Sequence, residues 1–348
     1  MPTTGFAAAI DSNDIVLSYG KEVTWGNKPA VAFKDIRIDK EGFTGSKSRK
    51  RPDELSSTRQ ASAAITVKVE ATGSIDFSVS AGTHNELLAS SIGGSFSTAI
   101  NFSNKTTVAA TGTGFTDSGS GFITAGIVVG QMIQVKGFTG ASADLINGVY
   151  RVNTVVAGTI TTSPAPGATK AASDPVTIRG SYCRNGASFD SFYFQKQLAS
   201  DKFMVFPGSW PNSGSLDVSV DNYLSGNIGF LCKSQYKDVS DQSTGAHIAA
   251  PTGKVIDSIG GVKSVYRNGS LISAVIQKFG AKWNKEGSAS QFGIGSSSAL
   301  GVRLGKVMVN GSLSSYFKDF SLYDEFINET GGPIWMPALD ANGDGYCI

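Results

Sequence analysis

Strict alternation of apolar and polar side chains recurs along this chain, most clearly at residues 65–79. There Ile65, Val67, Val69, Ile75, Phe77 and Val79 share one face, while Thr66, Lys68, Glu70, Asp76 and Ser78 share the other. The pattern predicts a half-buried hairpin turning near Thr72 and Gly73. Shorter strands are predicted at 14–20 and 31–38, the second after a turn at Trp25, Gly26 and Asn27. Residues 44–60 break the pattern. They carry Lys47, Arg49, Lys50, Arg51, Asp53, Glu54 and Arg59 around Pro52, and read as an exposed loop. Residues 83–92 read as a short helix, with Thr83 as N-cap, Glu86 completing a capping box and Gly93 ending it.

The framework occurs twice. Gly73 and Gly93 are 20 residues apart, as are Gly311 and Gly331, and a single offset of 238 superimposes both pairs. The same offset brings Lys68 onto Lys306, Val69 onto Val307, Ile75 onto Leu313 and Glu86 onto Asp324. Upstream, Lys40, Glu41 and Gly42 match Lys285, Glu286 and Gly287 across a loop seven residues shorter in the second copy. Such a repeat indicates a duplicated domain, and two like domains in one chain can stand in for two subunits of a symmetric ring.

Residues 102–179 have no counterpart in the second copy. Strand patterns at 126–137, 147–152 and 159–161 make them a small inserted β domain. The first domain resumes with apolar runs at 189–194, 203–206, 216–220 and 229–232, and residues 237–251 have linker composition. The expected organisation is 1–101 with 180–245 as a discontinuous first domain, 102–179 as the insertion, and 250–348 as the second domain. Only 16 residues follow Gly332, so the second copy reads as unfinished. Either a further C-terminal portion or a neighbouring chain would complete it, and a missing tail is preferred because a sheet cut there leaves an unpaired edge.

Composition narrows the function classes. The 348 residues include 42 glycines and carry a formal net charge of +2, which does not call for a nucleic-acid or anionic-membrane surface. Cys183, Cys232 and Cys347 have neither zinc spacing nor a disulfide framework, and fit a reducing compartment. The N-terminus lacks a signal-peptide pattern and no apolar run is long enough for a membrane helix. His84 and His247, the two histidines, stand apart from any Cys, Asp or Ser constellation, so neither a triad nor a zinc site is expected. Residues 340–345 match the opening of a calcium loop, but Asn-Gly and Asp-Gly are equally strong turn signals, and a turn is the expectation. The basic run from Lys47 to Arg51 has three readings: a solvated loop, a salt-sensitive contact to a neighbouring subunit, or a nucleic-acid patch.

Four features together resemble one family. They are the run from Tyr19 to Pro29 through Trp25 and Gly26, the charged stretch from Arg51 to Gln60, the alternation at 65–79, and the helix closed by Gly93 and Gly94. As an ensemble they resemble the tail tube (major tail) proteins of bacteriophages with long, flexible, non-contractile tails. The resemblance implies a mostly β fold of duplicated β-sandwich tube domains, each with a short flanking helix, joined around a ring into a shared β-barrel, with the small inserted β domain as an addition. It implies that rings stack into a tube conducting DNA from capsid to host cell, and that two fused tube domains give trimeric rings imitating hexamers.

The family's inter-ring loop maps onto Lys47, Arg49, Lys50, Arg51, Asp53, Glu54 and Arg59. A conduit for DNA is expected to have a neutral or acidic lumen, since attractive phosphate contacts slow passage. Glu70, Asp76, Asp217 and Asp221 are the candidate lumen-facing carboxylates, with Lys68 and Lys306 on the same faces. The implied partners are further copies of the chain, a tape measure protein in the lumen during assembly, tail terminator and tail tip proteins, and DNA in transit. The implied place is the virion tail, assembled in the host cytoplasm, with no catalysis, cofactor, metal or membrane. A rival reading is a β-sandwich receptor- or carbohydrate-binding tail protein. It predicts exposed aromatics gathered on one face, whereas Trp25, Trp210, Trp283 and Trp335 are scattered in sequence.

Overall fold

A computed structural model describes residues 15–53, 61–262 and 264–348; Glu54 and Arg59 therefore lie outside the described residues. The fold is mostly β, with no closed barrel among the described residues. The chain opens with β1 (Val16–Lys21), β2 (Lys34–Asp35), β3 (Lys40–Glu41), β4 (Thr44–Lys50) and β5 (Ile65–Ser78), followed by α1 (Asn85–Ser91). Next come β6 (Phe102–Lys105), β7 (Val108–Ala110), β8 (Gly114–Asp117), β9 (Met132–Lys136), α2 (Ala143–Ile146), β10 (Gly148–Val156), β11 (Thr159–Ser163) and β12 (Val176–Arg179). These seven strands form one sheet in the order β6-β12-β9-β10-β11-β8-β7. Their inward positions, among them Phe102, Phe115, Phe122, Ile133, Val135 and Ile160, build a core of their own. Strand β9 is shorter than predicted. Gly126 and Gly130 take φ of +87° and +80°, so the residues before Met132 turn instead of extending.

The chain continues with β13 (Phe192–Ala199), β14 (Lys202–Ser219), β15 (Ser225–Cys232) and β16 (Tyr236–Asp238). It ends with β17 (Tyr266–Arg267), β18 (Ser270–Leu271), β19 (Ile276–Glu286), β20 (Ala289–Gln291), β21 (Gly301–Arg303), β22 (Lys306–Ser315), α3 (Ser321–Ile327), β23 (Ile334–Trp335), β24 (Pro337–Leu339) and β25 (Gly345–Cys347). The described residues divide into two compact units. One takes those of Met1–Gly94, Asn185–Val255 and Phe279–Ser312; the other takes Ser95–Arg184, Ile256–Lys278 and Leu313–Ile348. These boundaries cut across the repeat, because β19 of the second copy pairs with β14 of the first.

In the first unit, β14 belongs to two layers. Its first half pairs with β13 and β16, and its second half with β15 and β19. The corner falls at Gly208, whose φ of +63° is open to glycine at little cost. Glu22 holds that corner: its carboxylate accepts from the Gly208 amide at 2.7 Å, the Gly26 amide at 2.8 Å and the Ser191 hydroxyl at 2.6 Å. Trp25 Nε1 donates to the Gly208 carbonyl at 3.0 Å. Between the layers lies an aromatic core in which Phe43 packs against Phe194, Phe206 and Phe230 with ring centroids 4.8, 5.0 and 5.7 Å apart.

Several expectations are corrected. Residues 65–78 are one continuous strand, not a hairpin turning at Gly73. A β-carbon on Gly73 would sit 2.3 Å from the Phe43 ring, so the glycine makes room for the core instead of a turn. Only the second half of β5 is buried; Ile65 and Val67 are exposed. The loop expected at 44–60 begins as strand β4, fully exposed and paired with β5 from Thr44–Thr72 to Lys50–Ile65. Of residues 31–38 only Lys34 and Asp35 extend.

Helix α1 ends as predicted: the Gly94 amide donates to Ala89 and the Gly93 amide to Ser90, with Gly93 at φ +72°. Its capping box is absent. Thr83 bonds Ser80, and Glu86 instead accepts from Lys34 Nζ at 2.6 Å and Tyr19 OH at 3.2 Å. The expected linker is tied down, since the Ile248 amide donates to Phe33 and the Asp35 amide to Ile248. His247 sits between Asp35 (2.6 Å) and Asp241 (3.0 Å). Burial works to lower its pKa, but the two carboxylates outweigh it and hold the imidazole above its ordinary value. In the second unit, residues 340–344 turn between β24 and β25, with Asp340 accepting from the Asn342 and Asp344 amides.

Candidate functional site

One face of the layer β5-β15-β14-β19-β22 carries rows of polar side chains. Strand registers align its rows. Asp76 stands beside Asn227 and then Ser215; Ser78 stands beside Ser225 and then Asp217. Asn227 Nδ2 donates to Asp76 at 2.5 Å. The next two strands continue the face. A β-carbon on Gly280 of β19 would lie 2.3 Å from Asp217 Oδ1 and 2.9 Å from Ser312 Oγ of β22, so the three positions share one side of the sheet. On β19 the residues alternating with Gly280 are Lys278, Lys282, Asn284 and Glu286, all exposed, while Phe279, Trp283 and Lys285 point inward and are buried.

This places the predicted wall carboxylates. Asp76 lies on the face, and Glu70 lies further along β5, paired with Lys68. Asp217 is on the face too, but one of its oxygens is buried against β19 and has no hydrogen-bond partner. Asp221 is not on the strand, because β14 ends at Ser219 and Asp221 turns at φ +63°. Lys278 and Lys282 were missed. Their alternation with Phe279, Ala281 and Trp283 was readable, but no strand was assigned there. With Lys68 and Lys306 they offset Glu70, Asp76, Asp217 and Glu286, so the face is close to neutral and not acidic.

Strand β19 is anchored by two buried side chains. Trp283 Nε1 donates to Ser91 Oγ at 2.8 Å. Lys285 Nζ donates to the Ser90 carbonyl at 3.1 Å and the Pro211 carbonyl at 2.7 Å, and lies 4.0 Å from the centre of the Trp210 ring. Burial pulls the Lys285 pKa down to about 8. The carbonyls at the end of α1 are where a cation is favoured by the helix dipole. The second copy is therefore fastened to the helix of the first.

The second predicted element is an arm. Lys47, Arg49 and Lys50 project from β4, and Arg51 and Asp53 follow, all exposed. Cross-strand pairing sets Lys47 beside Val69 and Lys50 beside Ile65. The arm lies along residues 292–297, where the Val69 amide donates to Ser297 at 2.7 Å and Lys68 sits 4.2 Å over the Phe292 ring.

A family model described as phage tail tube protein matches residues 12–345. The chain belongs to the phage tail tube protein family. No curated protein matches it. Family membership supports a structural role in the virion tail and self-assembly into a tube. Tail tube chemistry is the chemistry of surfaces, so the polar face and the arm are the parts to weigh. Among the described residues no group of three or more His, Cys, Asp and Glu side chains is placed to hold a metal ion, and no helix is long and apolar enough to cross a membrane. Of the four tryptophans that a glycan-binding platform would expose, Trp210, Trp283 and Trp335 are buried.

Proposed function

We propose that this tail tube protein forms rings in which the layer β5-β15-β14-β19-β22 lines the lumen, and that stacked rings conduct DNA from capsid to host cell during ejection. The observation that carries this reading is the junction between β14 and β19. There the second copy adds its strands to the sheet edge of the first, so one polar face spans both copies. The same edge-to-edge addition between chains would close the sheet into a barrel and leave no open edge. The near balance of Lys68, Lys278, Lys282 and Lys306 against four carboxylates suits a passage that does not hold phosphates.

On this reading residues 1–101 with 180–245 and residues 250–348 are two tube domains, three chains imitate a hexamer, and 102–179 is an added β domain. A tape measure protein fills the lumen during assembly, and terminator and tip proteins close the ends. Negative-stain microscopy of purified protein tests it. Hollow rings or tubes are expected, with three chains per ring by mass; solid particles or a stable monomer at high concentration would overturn it. The exposed aromatics of α3 keep the glycan-binding alternative in view. Glycan capture by discrete particles would favour that alternative.

A further inference from the structure

The inserted β domain carries an excess of positive charge. From Phe102 to Arg184 six Lys and Arg stand against three Asp, a balance of +3, whereas the whole chain has +2. Two of the three carboxylates are engaged in their own loops. Asp117 accepts from Thr107 Oγ1 and from the Gly119 and Gly121 amides, and Asp174 pairs with Lys170 and accepts from Thr139. Arg179 faces Asp344 at 3.8 Å. Arg151 and Arg184 have no carboxylate partner among the described residues, yet their guanidiniums converge.

They meet beside Gly130. A β-carbon built there would lie 3.6 Å from Nη2 of Arg184 and 3.8 Å from Nη2 of Arg151, with nothing else within 4 Å beyond the adjoining residues. Gly130 takes a φ of +80°, open to glycine at little cost, and its missing side chain leaves the space between the two guanidiniums free. Each arginine is held from behind. Strand β10 carries Arg151 between Met132 and Ser163, and its Nη1 donates to Asn153 Oδ1 at 3.2 Å. Arg184 Nη2 donates to the Val129 carbonyl at 2.9 Å, and its guanidinium lies 4.7 Å from the centre of the Tyr182 ring. Tyr182 is itself tied to Ser97 by two hydrogen bonds. Each Nη2 keeps at least one N–H for a ligand.

Two like charges brought together repel, and an anion between them relieves that repulsion. A phosphate group offers two or more free oxygens in a tetrahedral arrangement, one for each Nη2. A planar carboxylate is better matched by both nitrogens of a single guanidinium. We infer that Arg151 and Arg184 form a binding site for a phosphate group on the inserted domain, seated in the space that Gly130 leaves open. The site needs neither ring nor tube, so the proposed function can fail and leave it standing. Two charge-assisted contacts in reach of water set the expected dissociation constant on the order of 1 mM, weakening as salt rises.

Calorimetric titration of the full chain with inorganic phosphate at low salt tests this, with acetate as the planar anion. Saturable phosphate binding is expected, about 10-fold tighter than acetate. Arg151→Gln and Arg184→Gln should each weaken it on the order of 10-fold. Gly130→Asn keeps every charge and tolerates positive φ but fills the seat, so a loss of about the same size is expected. Lys105→Gln removes an equal charge from strand β6 of the same domain and should change binding by less than about twofold. Each variant is first shown to keep the wild-type circular dichroism and melting temperature. Dimethyl phosphate separates the sources: binding extends the site to phosphodiesters, and its failure beside bound inorganic phosphate confines the site to free phosphate and monoesters. Absence of saturable phosphate binding by the wild type overturns the inference, as does acetate binding equally well. So does a folded Gly130→Asn that binds like the wild type, or a Lys105→Gln that loses as much as the arginine variants.

Discussion

Helices α1 and α3 have the same length and follow aligned strands, yet α1 buries five of its seven residues and α3 none. At the repeat offset, Leu88 and Ala89 of α1 correspond to Phe326 and Ile327. Apolar character is kept at these positions while burial is not. What differs is the cover, since α1 packs on β14 and β15, and no described strand buries α3 in the same way. A repeat can therefore preserve an element's apolar sequence without preserving its burial among the described residues.

The comparison breaks most visibly in paired truncations. Leu87→Ala is expected to lower subunit stability by about 2–5 kcal/mol, as for other fully buried leucines. Phe326→Ala is expected to change it by less than about 0.5 kcal/mol. Urea denaturation of unassembled protein reads both, and equal losses would show that α3 is already packed in the free subunit.

Acid separates the copies next. His84 is buried, stacked on Phe77 at 3.9 Å, and bonded through Nε2 to the Arg37 carbonyl at 2.9 Å, with Nδ1 unpartnered. Burial lowers its pKa to about 4. As pH falls the unfolded chain takes the proton first. This contribution is full above about pH 6.5 and is lost between there and pH 4, about 3 kcal/mol in all. The second copy has Leu322 at that position. A His84→Phe variant should lose this slope in pH-dependent melting, and an unchanged slope would remove His84 from the account. His247 works in the opposite sense: its raised pKa gives stability that is full below about pH 6.5 and fades as pH rises through the folded value.

Gly73 and Gly311 sharpen the contrast on a smaller scale. Gly73→Ala forces a methyl into the Phe43 ring and is expected to cost about 1–3 kcal/mol. At Gly311 the nearest atom lies 3.9 Å away, so alanine should be within about 0.5 kcal/mol of neutral. Smallest is the charge comparison. Glu86→Gln gives up the half-exposed pair with Lys34, about 0.2–1 kcal/mol, while Asp324→Asn should leave subunit stability unchanged. Thermal melts at low salt resolve the first and bound the second.

Local chemistry was readable and pairing was not. The inward run of Ile75 and Phe77 and the stop at Gly93 followed from alternation and from a glycine's access to positive φ. Thr44–Lys50 looked like a loop because its charges argue against burial, and only a long-range partner, β5, makes it a strand. Gly73 looked like a turn because the ring that needs its space, Phe43, is 30 residues away in sequence. On the polar face, alternation correctly put Asp76 on a strand, whereas Asp221 lies past the end of β14, which nothing local marks. Lys285 was noted only as a repeat match; that it caps α1 depends on contacts far away in the chain.

The β14-β19 seam lies within a single polypeptide. Its two edges meet as an intramolecular event, at a local concentration set by tethering, whatever the amount of protein in the cell. Half of the joins in such a ring would then be made as each chain folds. Nucleation would be left with fewer collisions to wait for, and the sticky strand margins that invite misassembly would be fewer from the outset.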